Sequence, residues 1–193
     1  MNINHIKKAA LGACAASALL SGAAMAQETV TNATVDVTLQ NSFTLTQTTP
    51  MEFGTIVMFC DTGANNTTTA TLSTAGLFTP GATSGGARVI NVDATAPNPR
   101  SQAVFDVTGA APSTTLTVTL GGLTNLVCGA CGGGNPTITL TSLSNSSNNG
   151  TINTNNTGDA TLNVGAVLTT AASCGTQYLD GLYQGTYDLT VSY

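Results

Sequence analysis

Cationic and imidazole side chains are nearly absent from this 193-residue sequence, which holds four Lys or Arg, one His and no Trp. Past residue 26 the scarcity sharpens: Arg88 and Arg100 are the only basic groups against nine Asp and Glu, so residues 27–193 carry a formal charge of −7. A surface of that sign repels nucleic acid and anionic lipid and offers no basic patch to phosphate. The same stretch has no His or Lys, which excludes His-based triads, Lys nucleophiles and Schiff bases. Carboxylates remain, but Glu28, Glu52, Asp61, Asp93, Asp106, Asp159, Asp180 and Asp188 are scattered, and with no Trp to stack a sugar they suggest no glycosidase pair. Asp61, Asp159 and Asp180 also lack the ordered spacing of a calcium loop. The expectation is a protein that is not an enzyme and needs neither cofactor nor metal. Helix-stabilising Glu, Lys, Arg and Gln are few as well, which argues against a helical fold.

What is present begins with a targeting pattern. Lys7 and Lys8 precede an apolar run from Ala9 to Leu20, and Ala24-Met25-Ala26 supplies small residues for cleavage before Gln27. This predicts a secretory signal peptide over residues 1–26, hence export through the periplasm to the cell surface or medium. The apolar run is too short to cross a bilayer, so membrane insertion is not expected.

The remainder is rich in Thr, Ala, Gly, Asn, Ser, Val and Leu, a composition suited to strands with polar outer faces. Ala33, Val35, Val37 and Leu39 alternate with Thr34, Asp36, Thr38 and Gln40, giving an extended segment one apolar face. Asn41-Ser42 interrupts the pattern before Phe43 and Leu45 resume it. No tight-turn pair lies between, so the two pieces read as joined end to end rather than as a hairpin. The run from Phe53 to Phe59 is more continuously apolar and reads as one core strand. Further strands are expected at 67–73, 88–92, 103–107, 115–120, 136–140 and 162–168, with Gly- and Pro-rich turns between them. Residues 145–158, a low-complexity stretch of Asn, Ser, Thr and Gly, read as an exposed loop or mobile hairpin. About nine short strands without a convincing helix predict an all-β fold, a β-sandwich.

The cleanest periodicity closes the chain. Tyr183, Tyr187, Leu189, Val191 and Tyr193 occupy odd positions while Gln184, Thr186, Asp188, Thr190 and Ser192 occupy even ones, which predicts a strand with one buried face. Gly185 takes an inward position and signals either a bulge or the close approach of another segment. Tyr187 reads as core, and Tyr193 as a residue that docks an incoming strand or partner.

Cys60, Cys128, Cys131 and Cys174 follow the signal segment, and in an exported chain they read as two disulfides with three possible pairings. Cys60 with Cys174 and Cys128 with Cys131 is favoured, because the first two lie in loops beside strong strands and the close pair can form a small ring among glycines. Cys128-x-x-Cys131 lacks the helix start of a redox pair, and zinc would require thiolates from all four positions.

The export signal, the alternating stretch after it, Phe53-Gly54-Thr55-Ile56 and the terminal Tyr183 to Tyr193 together resemble a family of small secreted bacterial domains. That family is related to spore coat protein U and the archaic chaperone-usher pilins. The resemblance implies an immunoglobulin-like, pilin-like sandwich over 42–193 that lacks its final strand, with 27–41 as a donor-strand extension. It further implies a structural subunit of a cell-surface fibre or coat, in which Ala33, Val35, Val37 and Leu39 of one copy fill the gap in the next. The implied partners are other copies or related subunits, a periplasmic chaperone and an outer-membrane usher. Strand addition of this kind needs main-chain hydrogen bonds and pockets for alternate side chains, which the leader pattern can satisfy. The same pattern also suits pairing in cis, which would make a self-complete sandwich acting as a matrix protein or glycan-binding adhesin. Typical pilins carry one disulfide, so four cysteines and the Gly-rich and Asn-rich loops depart from the simpler pattern.

Overall fold

The computed structural model describes Asp36, Val37, Leu39, residues 42–93 and residues 99–193. The predicted signal segment, Ala33 and Val35 lie outside the described residues. Within the unit Leu39–Tyr193 the strands are, in order, β1 (Thr44–Thr49), β2 (Glu52–Phe53), β3 (Thr55–Phe59), β4 (Thr69–Leu72) and β5 (Phe78–Pro80). They continue as β6 (Arg88–Asp93), β7 (Arg100–Ser101), β8 (Ala103–Thr108), β9 (Thr115–Gly121) and β10 (Val127–Cys128). The last are β11 (Thr139–Asn145), β12 (Thr151–Asn153), β13 (Ala160–Thr169), β14 (Tyr183–Gln184) and β15 (Asp188–Ser192). The fold is all-β: the ladders are antiparallel, and the described residues include no helix.

One sheet runs β1-β8-β13-β4-β5, with β11 also paired to β13; a second is β12-β9-β15; β10-β14, β2-β7 and β3-β6 form separate ribbons. The ten-residue β13 organises the first sheet because its inward residues Leu162, Val164, Ala166 and Leu168 are at most 2% exposed. Its first half pairs with β8 and its second with β4. The change of partner falls at Gly165, where an added Cβ would come within 2.3 Å of the Leu72 carbonyl oxygen and 2.9 Å of the Thr74 nitrogen. Only a residue without a side chain lets β4 close in there.

The halves of β13 also belong to different apolar clusters. Leu162 and Val164 pack with Ala103, Val107, Leu116 and Ile152, which draws β8, β9 and β12 around one core. Ala166 and Leu168 pack with Met58, Ala70, Val89 and Leu140 from β3, β4, β6 and β11. Six side chains in these strands, Leu72, Leu116, Leu162, Leu168, Val107 and Val164, are fully buried. Each contributes roughly 1.5–3 kcal/mol by leaving water.

Three sequence expectations are corrected. The run from Phe53 to Phe59 is not one core strand: Gly54 has φ +70° and divides it into β2, paired with β7, and β3, paired with β6. Of β3 only Met58 is buried, while Val57 faces outward. The Asn-rich stretch is not merely an exposed loop, since β12 lies in it, pairs with β9 and sends Ile152 into the core. The single apolar residue in that stretch is the signal that its polar composition masks. Finally, the terminal alternation is divided into β14, paired with β10, and β15, paired with β9.

Candidate functional site: the cleft between the first and last strands

β1 and β15 are both edge strands, one at the end of each of the larger sheets. Among the described residues no ladder occupies the outer edge of either. Their directions follow from two contacts. Phe43, just before β1, meets Tyr193, just after β15, with ring centroids 5.5 Å apart in an edge-to-face arrangement. At the other ends Gln47 and Met51 face Gly185, Tyr187 and Leu189 across a cleft of about 360 Å³ that has Phe105 on its wall. The two strands therefore run antiparallel, with the ring contact at one end and the cleft at the other.

Each wall is held by identifiable interactions. On the β1 side, Gln47 is opposite Phe105 in the ladder, and the register slips between Gln47 and Thr49, so that Thr48 bulges. Pro50 follows, its carbonyl accepting a hydrogen bond from the Ser101 hydroxyl at 2.8 Å. On the β15 side, the Thr186 carbonyl accepts the Thr124 N–H at 3.0 Å, and the Thr186 N–H donates to the Thr124 hydroxyl at 2.6 Å. An added Cβ on Gly185 would meet Leu126 Cδ1 at 3.0 Å and the Thr124 carbonyl oxygen at 3.1 Å. The segment containing Thr124 and Leu126 thus packs directly on Gly185, and this divides β14 from β15.

Leu189 and Val191 are half-buried and pack against the first core cluster, as do Phe43 and Leu45 from the opposite wall. Tyr187 packs against both clusters and lies edge-on to Phe105, with centroids 6.4 Å apart. Its hydroxyl is buried with no hydrogen-bond partner among the described residues, and loss of water raises its pKa above the usual tyrosine value. Tyr193, 48% exposed, accepts the Ala111 N–H on its hydroxyl at 3.0 Å, which anchors the closed end. Tyr183 is not at the cleft; it stacks edge-on with Tyr178 at 6.1 Å beside the Cys128–Cys131 loop. Of the leader residues, Val37 and Leu39 are 75% and 80% exposed.

The four cysteines form two disulfides outside the cleft lining. Cys60 is bonded to Cys174 with a Cα–Cα distance of 6.2 Å, and Cys128 to Cys131 at 5.4 Å. Gln177 reinforces the first: its amide oxygen accepts the Cys60 N–H at 3.1 Å and its amide nitrogen donates to the Cys60 carbonyl at 2.9 Å. Next to it, Asp61 accepts the Gly63 and Ala64 N–H groups and the Asn66 amide. Those bonds, led by the one from Asn66, hold its pKa down at about 2. The sulfurs of Cys128 and Cys131 lie where a side chain on Gly181 would stand, tying the ring to the approach of β14.

Charge plays little part in the cleft itself. Arg88 lies over the Phe59 ring at 4.2 Å and Arg100 over Phe78 at 4.4 Å, so both guanidinium groups of this unit are held on aromatic faces. No cluster of three or more metal-ligating side chains occurs among the described residues. The arrangement suits an extended segment with a free backbone. A family model matches residues 43–193. The chain belongs to that family, a domain of unknown function (DUF4402). No curated protein and no solved structure matches it. The matched DUF4402 region starts at Phe43, on the closed end of the cleft, and takes in both of its walls.

Half of the cleft lining was not apparent from sequence. Gly185, Tyr187 and Leu189 stand out by periodicity, whereas Gln47, Pro50, Met51 and Phe105 come together only through long-range pairing. A proline directly after a Thr-rich strand was the one local hint of an edge.

Proposed function

We propose that this chain is a structural subunit of a bacterial cell-surface fibre or coat, an immunoglobulin-like sandwich one strand short that is completed by a neighbour's leader segment. On this reading it is related to spore coat protein U and the archaic chaperone-usher pilins, and a periplasmic chaperone and outer-membrane usher handle it before assembly. The observation that carries the reading is the cleft between β1 and β15, two edges that no ladder occupies among the described residues. Ala33, Val35, Val37 and Leu39 of the next copy supply an alternating apolar face, and Val37 and Leu39 are exposed in a lone chain. Burying the three larger side chains would release about 5–9 kcal/mol before ordering costs. Exposed edges are otherwise a hazard, and occupation removes it.

The test compares residues 27–193 with a version lacking 27–40, to which the missing segment is then added as a peptide. The longer protein should form heat-resistant multimers; the shorter should stay monomeric and gain thermal stability from the peptide. A short form that is unfolded and indifferent to the peptide would instead mean that 27–40 is a strand of its own domain.

A further inference from the structure

We infer that the Phe43–Tyr193 contact is an end-stop that fixes the register of the inserted strand, with Ala33 of the neighbouring copy seated against it and Leu39 at the open mouth. This rests on the strand-completion reading above and names how that site selects its occupant.

The ring contact at one end of the cleft supplies the first argument. Phe43 and Tyr193 touch at one end, while the cleft lies between Gln47 and Met51 on one wall and Gly185 and Tyr187 on the other at the opposite end. The leader's inward residues, Ala33, Val35, Val37 and Leu39, are graded by size, smallest first. Placed with Ala33 at the closed end, the smallest side chain meets the paired rings; reversed, Leu39 would press on them.

Backbone pairing independently selects that orientation. Because β1 and β15 run antiparallel to each other, an inserted strand is antiparallel to one and parallel to the other. β1 is the poorer template: it bulges at Thr48 and ends at Pro50, which has no N–H to donate. β15 keeps an unbroken register with β9 from Asp188 to Ser192, which leaves its outer edge regular. Antiparallel pairing is the more stable kind, and a strand antiparallel to β15 brings Ala33 to the Tyr193 end. The stop itself is firm, since Tyr193 is held both by the Phe43 ring and by the Ala111 N–H.

Two measurements on residues 27–193 test this. In the first, Ala33→Leu should lower the yield of multimers about tenfold by overpacking the closed end, and adding Tyr193→Ala should restore it. Equal assembly by Ala33→Leu and the parent would overturn the end-stop. In the second, which leaves the rings unaltered, a photoreactive residue is placed at position 33 or at 39 and the cross-links between copies are mapped by mass spectrometry. Position 33 should reach Phe43 and Tyr193, and position 39 should reach Met51 and Gly185. The opposite pattern, within multimers, would overturn the register while leaving strand completion intact. Cross-links away from the cleft, or no multimers at all, would overturn both.

Discussion

Phe43 stands edge-on to Tyr193 with ring centroids 5.5 Å apart, so the residue before the first strand is packed on the residue after the last. The pair, with the Ala111 hydrogen bond, should stabilise the domain measurably. We expect Tyr193→Ala to lower unfolding free energy by about 1–2 kcal/mol in urea titrations. A midpoint equal to that of the parent would show that the contact contributes nothing.

Tyr187 offers the opposite sign. Its hydroxyl is buried without a partner, so Tyr187→Phe removes a desolvated polar atom while keeping the ring edge-on to Phe105. The variant should be more stable by about 1 kcal/mol, seen as a higher melting temperature. A lower melting temperature would mean that the hydroxyl has a partner in solution.

Gly165 lies where β13 changes partners, against the backbone of Leu72 to Thr74. Gly165→Ala should cost roughly 1–3 kcal/mol through overpacking, because backbone rather than a flexible side chain must yield. Gly133→Ala, where an added Cβ meets nothing within 4 Å, is the control and should be near neutral. Equal denaturation midpoints for the two would refute the close approach.

The Cys60–Cys174 bond closes a span of 114 residues. Replacing both cysteines with Ala should cost about 2–5 kcal/mol. Loss of Cys128–Cys131, whose sequence separation is 3, should cost less in the same assay because its loop is short. The reverse order would indicate that bracing of β14, not loop closure, dominates.

Asp61 sets an acid limit. Its folded pKa, about 2, lies below the ordinary 3.8, so its stabilising effect is complete above about pH 5 and is lost as pH falls through 4 towards 2. Asp61→Asn should flatten that part of the stability profile. A parent and variant with parallel profiles between pH 5 and pH 2 would exclude Asp61 as the cause.

The all-β class was legible because alternation is a local signal, and β13 shows it at full strength in Leu162, Val164, Ala166 and Leu168. Ile152 was hidden because one apolar residue among Asn and Thr makes no period, yet one is enough when β9 pairs beside it. The split between β14 and β15 was equally hidden: Tyr183 and Tyr187 keep the same parity, but Thr124 pins the chain between them. Half of the candidate cleft followed the same rule. Tyr187 and Leu189 were visible by parity, while Phe105 and Met51 reach the site only because β1 pairs with β8.

The adjacency of Phe43 and Tyr193 also makes this body a good candidate for circular permutation. A short linker could join position 193 to position 43 across the ring contact, and the new ends could be opened among Gly132, Gly133 and Gly134, whose missing side chains have no neighbours within 4 Å. Such a rewired molecule would carry its leader, if one were fused to the new start, at a different place on the surface.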